Sequence, residues 1–296
     1  MIKSIDEYLA LLKKELTGAD PAIIQDALSD SEEHLRIALD NAIATNPATS
    51  ETEAFQPIIE KYGLPAEVAA AFMEIEARIP AGLARPAQQH RRSSMSRFFG
   101  VIADPRAWGA FLYMLFSLAT GIIYFTWAVT GMSLSLGLLV LIIGLPFVGL
   151  FLLSVRGIAF VEGRVVEALL GVRMPRRSLF SSQDLGWWGH FKSLVSEKRT
   201  WMALAYMVLQ LPIGIVYFTV ATIFVALSLG FISQPVLQLV FNLPMAQIDN
   251  TSYYTPGVLM PLVVLAGILL LVITMHLARY VGKMHGALAK AMLVME

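Results

Sequence analysis

The 296 residues are 56% hydrophobic and 15% charged, against about 25% charged in soluble domains, so lipid is the solvent for most of the chain. Net charge is zero, yet residues 1–80 hold 15 acidic and 6 basic side chains, a net of −9 balanced by +9 over residues 81–296. No cysteine is present, which excludes a disulfide framework, a thiolate nucleophile and a cysteine-based zinc site.

Residues 1–80 predict four short helices. Ser4 with Glu7 forms a capping box ahead of Ile5, Tyr8, Leu9, Leu12 and Leu16 at helical spacing, and Thr17-Gly18 stops that run. Asp20-Pro21 opens a second helix as N-cap and first turn, with Ile24, Leu28, Leu35 and Leu39 as its apolar stripe. Ser50 with Glu53 opens a third, leading Phe55, Ile58, Ile59 and Tyr62 up to Gly63. Pro65 opens a fourth, with Val68, Phe72 and Ile75 on one side. An amphipathic acidic segment stands where a signal peptide would carry its apolar region, so this head is expected to stay where it is made.

Residues 81–97 form a basic linker with Arg91, Arg92 and Arg97. Four apolar stretches follow, near 107–130, 134–160, 201–230 and 257–279, each long enough to cross a hydrocarbon core of about 30 Å. Lys and Arg crowd the segment between the second and third stretches and the segment after the fourth. The turn expected at 131–133 and the 231–256 loop hold none, so the positive-inside rule puts both termini in the cytoplasm.

The membrane part repeats itself. Arg106/Arg199, Trp108/Trp201, Ala110/Ala203, Tyr113/Tyr206, Met114/Met207, Leu118/Leu211, Gly121/Gly214, Ile122/Ile215, Tyr124/Tyr217, Phe125/Phe218 and Thr126/Thr219 coincide at an offset of 93 without a gap. A weaker match at an offset of 119 joins the second helix of each copy, including Ala159/Ala278, Gly163/Gly282 and Arg164/Lys283. Repeat 1 covers 98–175 and repeat 2 covers 187–296. Each begins with an interfacial amphipathic segment, and both are expected to run in the same sense.

Tyr113, Gly121, Tyr124 and Thr126, with Tyr206, Gly214, Tyr217 and Thr219, are the candidate wall of a ligand pocket. Helix packing with an aromatic belt accounts for the same residues. Trp108, Trp187, Trp188 and Trp201 are the membrane-interface candidates. Hardly any ionisable side chain is expected deep in the spans, since Arg156 and His276 sit near span ends. Glu162 and Glu167 are expected to pair with Arg164 and its basic neighbours. Asp30, Glu32, Glu33 and His34 mark a candidate partner-binding face, and a solvated helix face is the simpler account of them. No catalytic constellation, metal site or cofactor motif is found, and direct nucleic-acid binding is not expected of so acidic a head.

Tyr8-Leu9 with Leu12 and Leu16, Ser29-Asp30-Ser31-Glu32-Glu33-His34, and Ile58-Ile59-Glu60-Lys61-Tyr62-Gly63-Leu64-Pro65 carry a resemblance to the HAAS (HTH-associated α-helical signalling) domain over residues 5–75. Asp104-Pro105-Arg106-Ala107-Trp108, Gly121-Ile122-Ile123-Tyr124-Phe125-Thr126 and Gly144-Leu145-Pro146 carry another over residues 97–293. That stretch resembles the sensor transmembrane domain found ahead of some bacterial sensor histidine kinases. The resemblance implies a signalling component of the bacterial cytoplasmic membrane that relays through a PadR-like helix-turn-helix regulator.

The expectation is therefore an all-α, multi-pass membrane protein without enzymatic activity. It joins a soluble four-helix domain to four transmembrane helices arranged as two parallel-repeat hairpins. It would sense a membrane-associated ligand or state and signal by protein contact, with a homo-oligomer as a candidate assembly. A facilitator or permease subunit for hydrophobic molecules, and a membrane scaffold, stand as alternatives.

Overall fold

The computed structural model describes residues 2–46, 50–78, 98–140, 144–175, 187–249 and 251–294. The linker and its Arg91, Arg92 and Arg97 lie outside the described residues. The head consists of α1 (Ile5–Glu15), α2 (Pro21–Thr45), α3 (Glu51–Tyr62) and α4 (Pro65–Arg78). Ser4 accepts from the Glu7 N–H, and Asp20 from the Ala22 N–H, as the capping signals require. The Glu7 carboxylate takes the Lys3 N–H at 2.8 Å, one residue earlier than the expected capping box.

One face of each helix builds a common core of Tyr8, Leu12, Leu35, Phe55, Ile59 and Val68. Tyr8 is fully buried, yet its hydroxyl donates to the Gly63 carbonyl at 2.9 Å, so the core carries no unpaired phenol. Gly63 turns the chain from α3 to α4 at φ +111°, where a side chain would be strained.

The membrane part holds α5 (Pro105–Leu138), α6 (Gly144–Leu170), α7 (Trp187–Ser196), α8 (Lys198–Leu239) and α9 (Met260–Leu293). Among the described residues, α5, α6, α8 and the helical stretch ending in α9 are long and apolar enough to cross a membrane. The chain is thus an all-α membrane protein, with one small antiparallel hairpin, β1 (Ala246–Ile248) and β2 (Thr251–Tyr253), between α8 and α9. Large apolar side chains such as Phe116, Ile123 and Leu150 stand exposed on these helices, as lipid solvent permits.

The helices are longer than the apolar stretches suggested. The turn expected at 131–133 is helical, because α5 continues to Leu138, and half of the expected 231–256 loop belongs to α8 and the hairpin. At 1.5 Å per residue α5 is about 51 Å long, well over the ~30 Å of hydrocarbon, and such excess is accommodated by tilt.

The crossing of α5 and α8 organises the module. A Cβ on Gly121 would lie 2.7 Å from the Gln210 carbonyl, and one on Gly214 would lie 2.2 Å from the Ser117 carbonyl. Glycine lets the two backbones touch there, reciprocally, at positions 93 apart. Ala107, Ala110 and Met114 of α5 belong to one buried cluster with Ala221 of α8 and Met275 of α9. Tyr113, Tyr124 and Ala128 of α5 belong to another with Ala203 and Met207 of α8 and Phe151 of α6.

Candidate functional site

Near the crossing, five polar side chains converge in an otherwise apolar interior. Tyr113 and Tyr124 come from α5, Glu162 from α6, Tyr206 from α8 and His285 from α9, all of them buried. Tyr113 and Tyr206 donate to Glu162 Oε1 at 2.6 and 2.9 Å, and Tyr124 donates to Glu162 Oε2 at 2.8 Å. His285 Nε2 lies 2.6 Å from the Tyr113 hydroxyl and 2.9 Å from that of Tyr206. Gln210 Nε2 donates to the Tyr113 oxygen at 3.0 Å.

Proton accounting fixes the roles. Each hydroxyl owns one hydrogen, and all three point at Glu162. His285 Nε2 must then carry a hydrogen, which it shares between Tyr113 and Tyr206. Two buried acceptor positions, Gln210 Oε1 and His285 Nδ1, are left without a partner. A buried network joining four helices is high-stakes: each bond depends on all the helices keeping their places.

The head rests on the ends of two of these same helices. Arg173, just after α6, pairs with Asp26 of α2 at 2.9 Å and with Glu167 of α6 at 3.5 Å. Lys290 of α9 pairs with Asp20, whose other oxygen caps α2. Between them Ala22 of α2 is fully buried in one cluster with Val166, Met174, Leu293 and Val294. The acidic head therefore docks through the first turns of α2 by charge and by apolar contact.

The eight pocket candidates divide. Tyr113, Tyr124 and Tyr206 meet at Glu162, and the Tyr217 ring lies 5.6 Å from the His285 ring. Gly121 and Gly214 form the helix crossing, while Thr126 and Thr219 are exposed on the outer faces of α5 and α8. Of the interface tryptophans, Trp108 donates to the Ile102 carbonyl at 2.7 Å and Trp201 to the Val195 carbonyl at 2.8 Å, the same bond in both copies. The side chains of Trp187 and Trp188 lie outside the described residues. In the head, Glu32 pairs with Arg36 at 2.8 Å and His34 stacks on Tyr62, with Asp30 and Glu33 on the same helix.

Two expectations need correction. Glu167 does pair with Arg164, at 2.7 Å, but Glu162 faces inward to the three tyrosines. Ionisable groups are therefore present inside the helix bundle, Glu162 and His285 foremost. Ending the fourth span at 279 hid His285, and reading Glu162 by its neighbour Arg164 hid its true partners. The repeat held a usable signal. At the 119 offset Glu162 stands opposite Val281 and His285 opposite Val166, and at the 93 offset Gln210 stands opposite Ser117. The cluster joins tyrosines that the two copies share to Glu162, Gln210 and His285, which they do not.

The model of a family described as "Putative sensor" matches residues 113–293, which run from Tyr113 of the cluster to the last residue of α9. No curated protein and no solved structure matches the chain.

Proposed function

Because this chain belongs to the Sensor family, we propose that it is a non-enzymatic signalling adaptor of the bacterial cytoplasmic membrane. In this reading the crossed helices detect a membrane-associated ligand or a state of the bilayer. The head, a HAAS-like domain over residues 1–80, passes the result to a PadR-like regulator by contact. The excess of Lys and Arg between the second and third spans and after the fourth supports cytoplasmic placement of both termini. The matching Trp108 and Trp201 bonds and the reciprocal glycine contacts support two copies of one unit, 98–175 and 187–296.

One observation carries the relay. α6 bears both Glu162, in the cluster, and Glu167, which holds the docking residue Arg173. α9 bears both His285, in the cluster, and Lys290, which holds Asp20. The spacing is five residues in each case, about 7.5 Å along the helix. A ligand that favours one arrangement of these helices therefore changes the seat of the head, provided its affinity differs between arrangements. On the head, a groove of about 700 Å³ between α2 and α3, with Ile37, Ala42 and Ile58 in its wall and His34 and Lys61 at its rim, offers a regulator an apolar contact.

The test is co-purification of the full chain with a PadR-type regulator from the same bacterium. Removing residues 1–80 should abolish capture and leave membrane insertion intact. Capture that survives the deletion would show that the head is not the output surface.

A further inference from the structure

A second feature lies beside the docked head. The first turn of α5, the end of α6 and the middle of α9 enclose a cleft of about 190 Å³. Its polar wall is Arg106, Arg279 and Lys283, and its apolar wall includes Leu170, Val172 and Gly282. Only one of the three cations is neutralised: Arg279 pairs with Asp104 at 3.2 Å. Among the described residues neither Arg106 nor Lys283 has an acidic partner. Gly282 sits against Ala110, whose methyl a Cβ on Gly282 would approach within 2.7 Å, so α5 and α9 pack closely on that side of the cleft.

Three cations around a small concavity with an apolar margin, at a span end, match one chemistry: a phosphate with hydrocarbon attached. We propose that this cleft binds the phosphate of an anionic phospholipid headgroup. The acyl chains would lie along the exposed apolar faces of α5 and α9. The proposal rests on the sensing reading above and deepens it by naming the ligand class. Val172 connects cleft and docking site, since it lines the cleft, touches Gly286 and precedes Arg173, the partner of Asp26.

The test uses the full chain in nanodiscs of phosphatidylcholine alone or with increasing phosphatidylglycerol, reading the thermal midpoint. Phosphatidylglycerol should raise the midpoint of the native chain. The double variant Arg106→Gln/Lys283→Gln should need about tenfold more lipid for the same rise. Arg106→Lys/Lys283→Arg should retain the native response, which separates lost charge from lost folding. Lys13→Gln/Lys14→Gln, on the exposed side of α1, should also retain it. Inorganic phosphate titrated into phosphatidylcholine discs identifies the source: no rise supports the lipid headgroup, and an equal rise overturns it in favour of soluble phosphate. Identical responses from the native chain and Arg106→Gln/Lys283→Gln would overturn the cleft itself. Regulator capture is scored separately, so failure of the cleft and failure of the relay appear as different losses.

Discussion

Arg173 and Asp26 stand 147 positions apart in sequence and 2.9 Å apart in space, with little of either side chain exposed. This pair ties the acidic head to the membrane module. Arg173 also faces Glu167, so its removal takes one cation from each of two carboxylates, while Glu167 keeps Arg164 at 2.7 Å. Losing one partner of a buried pair costs about 3–5 kcal/mol. Arg173→Gln should release the head while residues 1–78 stay folded. Limited proteolysis would detect this as faster cleavage between head and module, with the head surviving as a resistant fragment.

Asp20 allows a finer test of the same contact. Its Oδ1 caps α2 and its Oδ2 meets Lys290. Asp20→Asn keeps a capping oxygen and removes the charge, so it should weaken docking without unfolding α2. Asp20→Ala removes both and should also lower head stability by about 1 kcal/mol. Circular dichroism on the two variants separates the effects.

Substitutions in the buried cluster should prove non-additive. Tyr113→Phe and Tyr206→Phe each delete one hydroxyl bond to Glu162, a loss of about 1.5–3 kcal/mol for bonds to charged groups. Both hydroxyls also share His285, so the double variant should lose less than the sum of the singles. Unfolding in detergent, followed by tryptophan fluorescence, gives the coupling. Strict additivity would mean that the network does not act as a unit.

Much of this architecture was legible in the sequence, for identifiable reasons. Capping residues Ser4, Asp20 and Ser50 located the head helices, because unsatisfied N–H groups at a helix start demand such side chains. Tyr113, Tyr124 and Tyr206 stood out as repeated polar residues in apolar runs, and they form most of the cluster. The partners of Glu162 and His285 were not legible, since they come from other helices 38 to 172 positions away. The backbone contact of Gly121 with Gln210 and of Gly214 with Ser117 was hidden too, because a repeat offset records equivalence and carries no packing geometry.

The crossing makes an ordered prediction. Gly214→Ala should destabilise the module more than Gly121→Ala, since the added carbon would lie 2.2 Å from a carbonyl oxygen in the first case and 2.7 Å in the second. Gly230→Ala, in open space on α8, should be neutral or slightly stabilising. Thermal midpoints of the three variants in detergent should fall in that order.

The central claim is that cluster and docked head share α6 and α9, so that disturbing one loosens the other. Hydrogen exchange on the full chain in nanodiscs tests it most directly, comparing native protein with Glu162→Gln. The account predicts faster exchange at the start of α2, around Ala22 to Asp26, with the α1, α3 and α4 amides unchanged. Identical protection at Ala22 to Asp26 in both proteins, despite measurable loosening around Tyr113 and Tyr206, would contradict it.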